Sequence, residues 1–185
     1  MGQYYRALVG EHVLDPNMYK DGSKLMEHSW LGTEFTNTVL TMLTYKPEKV
    51  YWVGDYTQDM PEIFDKCWDC ADDNTFHYKL ESKVIYENEE LVGYLLNHTK
   101  HEYVSLLEYQ DKVFDLSEWA KDFYFAHPLP ILTATSNGLG GGDYNGNCMD
   151  MVGWWEGDEI EYTEDTNNIR SMYKNITDDV LFYER

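Results

Sequence analysis

The chain is predicted to fold as a single α+β domain, a mixed or antiparallel sheet packed against two or three helices, and three observations lead there. Its 185 residues are one domain's worth, enough to bury roughly 70% of the unfolded surface. The composition is 43% hydrophobic and 16% aromatic, with 16 Tyr and 6 Trp, which excludes a disordered acidic tail, since such tails lack aromatics. Strand-like apolar runs alternate with helical stripes, and no repeat, linker or composition shift marks a second domain, so one globular unit is expected over residues 1–185.

The elements follow in order. "QYYRALV" is rich in aromatic and branched residues and reads as an opening strand, closed by a turn at "DPN". Leu31, Phe35, Val39, Met42 and Leu43 recur at helical spacing and predict an amphipathic helix to about Tyr45, ended by Pro47. "KVYWVGDY" is nearly continuous in apolar residues and reads as a strand buried on both faces. "MPEIFDKCWDCADD" predicts a short helix opened by Pro61. "LVGYLLN" and "EYVSLLEY" predict two strands joined by the loop "HTKH". "LSEWAKDFYFA" puts Leu116, Trp119, Ala120 and Phe123 on one helical face, with Ser117 as its N-cap. "PILTATSN" and "MVGWWEGDEIEY" are expected as strands on either side of a glycine loop.

Charge restricts function more than pattern does. The chain carries 34 Asp and Glu against 14 Lys and Arg, a formal net charge of -20. Such a molecule repels phosphate backbones and anionic headgroups, so direct binding to nucleic acid or to a membrane surface is not expected. Its field favours a basic protein partner, met quickly and in a salt-dependent way. Three cysteines do not frame a disulfide scaffold, there is no signal-peptide pattern, and no apolar run is long enough to span a bilayer. The expected location is the cytoplasm of a bacterial host cell. Gly2 invites a myristoylation reading, but Arg6 stands where that motif needs Ser or Thr.

The stretch "NGLGGGDYNGN", Asn137 to Asn147, holds five glycines and one carboxylate. A phosphate cradle needs backbone N–H groups aimed at the anion, usually with a helix N-terminus and a Lys close by. Here no Lys or Arg occurs between Lys121 and Arg170, and Asp143 sits within the loop. Gly138, Gly140, Gly141, Gly142 and Asp143 are therefore read as a structural loop.

Other candidates are sparse. Cys67 and Cys70 have zinc-like C-x-x-C spacing that Cys148 or a histidine could complete, but no second such pair exists. Asp55, Asp143 and Asp158 each follow a glycine at an expected strand end, and their convergence on a divalent cation would make a metal-dependent enzyme. The alternative for each is a turn-capping aspartate. His98 and His101 fall in a loop, and Ser29 beside His28 is only a neighbour in sequence, whereas catalytic partners come from separate elements. No catalytic motif and no cofactor fingerprint is present, so no cofactor is expected.

The carboxylates are concentrated. Glu156, Asp158, Glu159, Glu161, Glu164 and Asp165 supply six in ten residues; Asp69, Asp72 and Asp73 form a second group, and Asp178, Asp179 and Glu184 a third. Rows of carboxylates on an aromatic-backed surface can stand in for DNA phosphates and occupy the Arg and Lys groove of a nucleic-acid enzyme, with Trp154 and Trp155 as hot spots. A plain solvated acidic face is the competing reading.

"MGQYY", "KLMEHSW", "VYWVGDY", "LLNHTK", "HPLPILTA" and "GLGGGDY" followed by "VGWWEGD" together resemble an uncharacterised family of small acidic proteins from Firmicutes, their plasmids and phages, nearly end to end. In size and charge the chain is also similar to the anti-CRISPR inhibitors of Cas9-type nucleases. That second resemblance implies a phage or mobile-element protein that binds such a nuclease, with or without guide RNA, and blocks DNA binding or cleavage. Cas9-type effectors read a short duplex motif with arginines and hold nucleic acid in a positively charged channel, the surface an acidic inhibitor would cover. A non-catalytic structural or interaction protein remains the further alternative.

Overall fold

The computed structural model describes residues 1–29, 33–69, 86–87, 90–116 and 126–183. They form one α+β domain built on a seven-stranded mixed sheet with six helices. The strands are β1 (Tyr5–Val9), β2 (His12–Leu14), β3 (Glu48–Gly54), β6 (Tyr94–Asn97), β7 (Glu102–Ser105), β8 (Glu159–Thr163) and β9 (Lys174–Asn175). Their order is β2-β1-β3-β8-β6-β7-β9, with β4 (Tyr86–Glu87) and β5 (Glu90–Leu91) as a separate hairpin. Every pair in the large sheet is antiparallel except β7 with β9.

Alternation assigns the two faces. Tyr5, Ala7 and Val9 of β1, Val50 and Trp52 of β3, Leu95 of β6, Val104 of β7 and Ile160 and Tyr162 of β8 point into one large core. Residues between them face the other way. Leu8 and Val53 pack with Val13 and Cys67, and Leu96 and Tyr103 pack with Ile169. Strand β3 is thus covered on both sides, as its unbroken apolar run requires.

Helix α2 (Glu34–Leu43) supplies Phe35, Val39, Leu40 and Leu43 to the large core. Helix α4 (Leu106–Leu116) supplies Leu106, Tyr109 and Val113. Short helices complete the cover: α1 (Leu25–His28), α3 (Pro61–Phe64), α5 (Pro128–Leu132) and α6 (Ile169–Met172). Among the described residues no helix is long and apolar enough to cross a membrane.

Three expectations are corrected. "EYVSLLEY" is a strand only to Ser105; from Leu106 the chain turns into α4, whose buried Leu106, Tyr109, Gln110 and Val113 recur at helical spacing. "PILTATSN" is not a strand. Pro128 opens the helical turn α5, His127 caps it, and only Ala134 bridges to Trp52. Before β8 the expected strand is instead a 3-10 turn, Met149–Met151, followed by turns over 152–157 with left-handed Gly153 and Gly157. The amphipathic helix starts at Glu34, and the expected helix from Ser117 lies outside the described residues.

Candidate partner-binding surface

The turn joining β6 to β7, residues 98–101, arranges the acidic segment residue by residue. His98 Nε2 lies 2.7 Å from Glu161 Oε2, Thr99 Oγ1 accepts the Glu159 N–H at 3.0 Å, and Lys100 Nζ pairs with Asp158. Glu102, at the start of β7, is buried. One of its carboxylate oxygens accepts the indole N–H of both Trp154 and Trp155 at 2.9 Å. Lys100 also sits 5.4 Å from the centre of the Trp154 ring. An indole pinned at its N–H and flanked by a cation has lost its rotamer freedom before any partner arrives, which is what a hot spot needs.

The adjacent tryptophans divide by burial. Trp154 is 44% exposed and Trp155 is 0% exposed, so Trp155 is core and not contact surface. The carboxylates divide in the same way. Asp158 is 8% exposed and is held by Asn97 Nδ2 at 2.8 Å and by Lys100, so it is an internal hydrogen-bond partner. Glu159 and Glu161 alternate outward from β8 while Ile160 and Tyr162 go to the core, and Glu164 and Asp165 follow, exposed, past the strand end.

Glu156 belongs elsewhere. It is half-buried, and burial first, then the charge of Asp59, pushes its carboxyl up to about 7. The six carboxylates of the segment are therefore not one row. Asp72, Asp73 and Glu184 lie outside the described residues, as does the side chain of Asp69; Asp178 and Asp179 are exposed on the turn after β9.

Three separate elements bring Glu161, His98 and Tyr173 into a chain, because the Tyr173 hydroxyl lies 3.0 Å from His98 Nδ1. A carboxylate can only accept, so Nε2–H donates to Glu161, and in that neutral tautomer Nδ1 accepts from the phenol. Burial first and the Glu161 charge second raise the Tyr173 phenol, so it stays protonated at neutral pH. The chain thereby holds the turn in place instead of activating a nucleophile. Sequence spacing gave no sign of Glu102, His98, Lys100 or Tyr173 as partners of the acidic segment; their contacts span from 52 to 75 residues.

The glycine loop does cradle an anion, and the anion is its own. The N–H groups of Gly138, Leu139 and Gly140 donate to Asp143 Oδ2 at 2.7, 2.9 and 2.9 Å, and the Tyr5 hydroxyl donates to Oδ1 at 3.1 Å. The amide of buried Gln3, oriented to satisfy both its ends, adds a donor to Oδ2 at 2.9 Å. Gly142 has φ +90°, and at Gly140 a Cβ would come within 2.5 Å of the Gln3 backbone, so side chains are excluded at both. The loop then clasps the N-terminus: Gly141 N donates to Met1 O at 3.1 Å and Met26 N to Gly142 O at 3.0 Å.

The metal candidates are not brought together. Asp143 fills the loop, Asp158 binds Lys100 and Asn97, and Asp55 accepts the Tyr4 N–H at 3.0 Å. Cys67 is buried in the small cluster under β1 and β3, its thiol pushed up to about 12 by burial, while Cys148 packs on the large core and Cys70 lies outside the described residues. Among the described residues no group of three or more His, Cys, Asp or Glu could hold a metal ion.

His28 and Ser29 are both fully buried. His28 Nε2 accepts the Trp52 indole N–H at 2.6 Å, and burial depresses its pKa to about 3, so it is a neutral core histidine. A scan against protein-family models, a search of curated proteins and a search of solved structures each returned no match.

Proposed function

We propose that this chain is a non-catalytic acidic binding protein whose partner is a basic, nucleic-acid-handling protein, the specific candidate being a Cas9-type nuclease inhibited on behalf of a phage or other mobile element. The observation that carries the reading is the exposed Trp154, pinned by Glu102, on a molecule of net charge -20. A rigid aromatic anchor gives local affinity, and the acidic field gives rate and selects a basic partner. The choice of a Cas9-type nuclease rests on the resemblance in size and charge to anti-CRISPR inhibitors, whose targets present arginines and a basic channel. The residues offered to the partner are Trp154, Glu159, Glu161, Glu164 and Asp165; Trp155 and Asp158 support them from inside.

The test is a pull-down of the tagged chain against purified Cas9, with and without guide RNA, at low and high salt, followed by a DNA-cleavage assay. The expected result is binding that weakens as salt rises, together with loss of cleavage. No binding at either salt would remove the nuclease as partner.

A further inference from the structure

A groove of about 600 Å³ lies on the outer side of the sheet, where β8 ends and α4 begins. Tyr94, opposite Thr163 in the neighbouring strand, and half-buried Val92 form its apolar part, and Leu107, 44% exposed in the first turn of α4, extends it. Its carboxylates come from two elements: Glu108 and Asp111 are one turn apart on α4, and Glu164 lies past the end of β8.

The groove already holds one ammonium. Lys112 Nζ sits 2.7 Å from Glu108 and 2.5 Å from Asp178. These two carboxylates neutralise Lys112, and of the remaining charged lining residues Asp111 and Glu164 outnumber Arg170, so the groove stays net acidic. Arg170 also lines the groove. Apolar surface lined by carboxylates from two elements suits a side chain that is aliphatic along its stem and cationic at its tip, beside an apolar neighbour.

We propose that this groove is the docking site for an extended basic segment of the partner, in which an Arg or Lys head lies between Asp111 and Glu164 and an adjacent large apolar side chain covers Leu107 and Val92. The proposal rests on the acidic-binder reading above and deepens it, naming an arginine- or lysine-containing segment interspersed with apolar residues as what is recognised. Charge complementarity chooses this occupant over an acidic or purely apolar one.

The experiment is calorimetric titration of the full chain with three capped pentapeptides, Arg-Leu-Arg-Leu-Arg, Arg-Gly-Arg-Gly-Arg and Glu-Leu-Glu-Leu-Glu, at low and moderate salt. Two double variants accompany it: Asp111→Asn with Glu164→Gln in the groove, and Glu62→Gln with Asp65→Asn, which removes the same charge away from it. The expected result is that the Arg-Leu peptide binds best and that the groove variant weakens it by about tenfold, the control by less than about twofold. Leu107→Ala, at an exposed position, should lower affinity for the Arg-Leu peptide and leave the Arg-Gly peptide unchanged. Equal weakening by both double variants, or equal binding of the two arginine peptides, would overturn the groove while the acidic-binder reading stood. Failure of both arginine peptides to bind at low salt would overturn that reading and the groove with it.

Discussion

Two glycine- or acid-rich runs invite a ligand, and they meet opposite fates. In the loop 137–147 the backbone donors converge on Asp143, so a site with the geometry of an anion cradle is filled from within and serves to hold Met1–Gln3 and α1. In the segment 154–165, the turn before β8 and the alternation along β8 send some residues inward and leave others out. Trp155, Asp158, Ile160 and Tyr162 become structure, and Trp154, Glu159, Glu161 and Glu164 are left facing out. Polar groups that the fold satisfies from within serve the structure, and those on exposed residues such as Glu159 and Asp165 stay within reach of solvent.

The largest effect expected to sharpen this contrast is on pH stability. His28 and His127 are fully buried, and burial depresses both to about 3 from an unfolded value of 6.5. Below 6.5 the unfolded chain takes up protons that the native chain refuses, so stability is fully present above 6.5 and is lost as pH falls toward 3. The slope is about 1.4 kcal/mol per pH unit for each imidazole. Urea denaturation between pH 7 and 5 checks it, and a flat profile would show that these imidazoles do not stay neutral in the fold.

Asp143→Ala removes the acceptor of three backbone N–H groups, two of them on exposed residues, and of the Tyr5 hydroxyl, and is expected to cost about 2–4 kcal/mol. A loss under about 1 kcal/mol in chemical denaturation would mean the loop does not depend on its own anion. Glu102→Leu leaves two indole N–H groups without their acceptor and should cost about 2–4 kcal/mol with a shift in tryptophan fluorescence, whereas Glu102→Gln keeps an acceptor and should cost less.

Glu156 tests the boundary between the two regions. Its carboxyl, raised to about 7 from 4.5, opposes folding as pH climbs through that window, in the reverse sense to the histidines. Glu156→Gln is therefore expected to stabilise the chain at pH 8, by about 1 kcal/mol once solvent screening of a half-exposed group is counted. Thermal unfolding of the two proteins at pH 8 and pH 4 separates this from a general charge effect, because the difference should vanish at pH 4. Smallest of all, reversing Glu159 and Glu164 should change stability by less than about 0.5 kcal/mol, since exposed charges contribute little to the fold.

What was legible in the sequence follows from the same contrast. Strands β1 and β3 and helix α2 carry their own periodicity, and residues such as Phe35, Val39 and Trp52 fall where that pattern puts them. The junction Ser105–Leu106 was hidden because one apolar run passes from strand into helix without a break. The strand expected at "PILTATSN" overlaps the proline-opened helical turn Pro128–Leu132, which is too short to show a period. The excess of acidic charge is plain from composition, but the division of Trp154 from Trp155 and the role of Glu102 depend on contacts some fifty residues apart in the chain, which no local spacing encodes.

The most direct test of the central claim is a Cas9 cleavage assay titrated with the wild-type chain and with a variant in which Glu159, Glu161, Glu164 and Asp165 are reversed to Lys, after circular dichroism has shown both folded. The account predicts that the wild type suppresses cleavage in a salt-sensitive manner and that the variant loses suppression. Equal suppression by the two proteins, or none by the wild type at low salt, would contradict it.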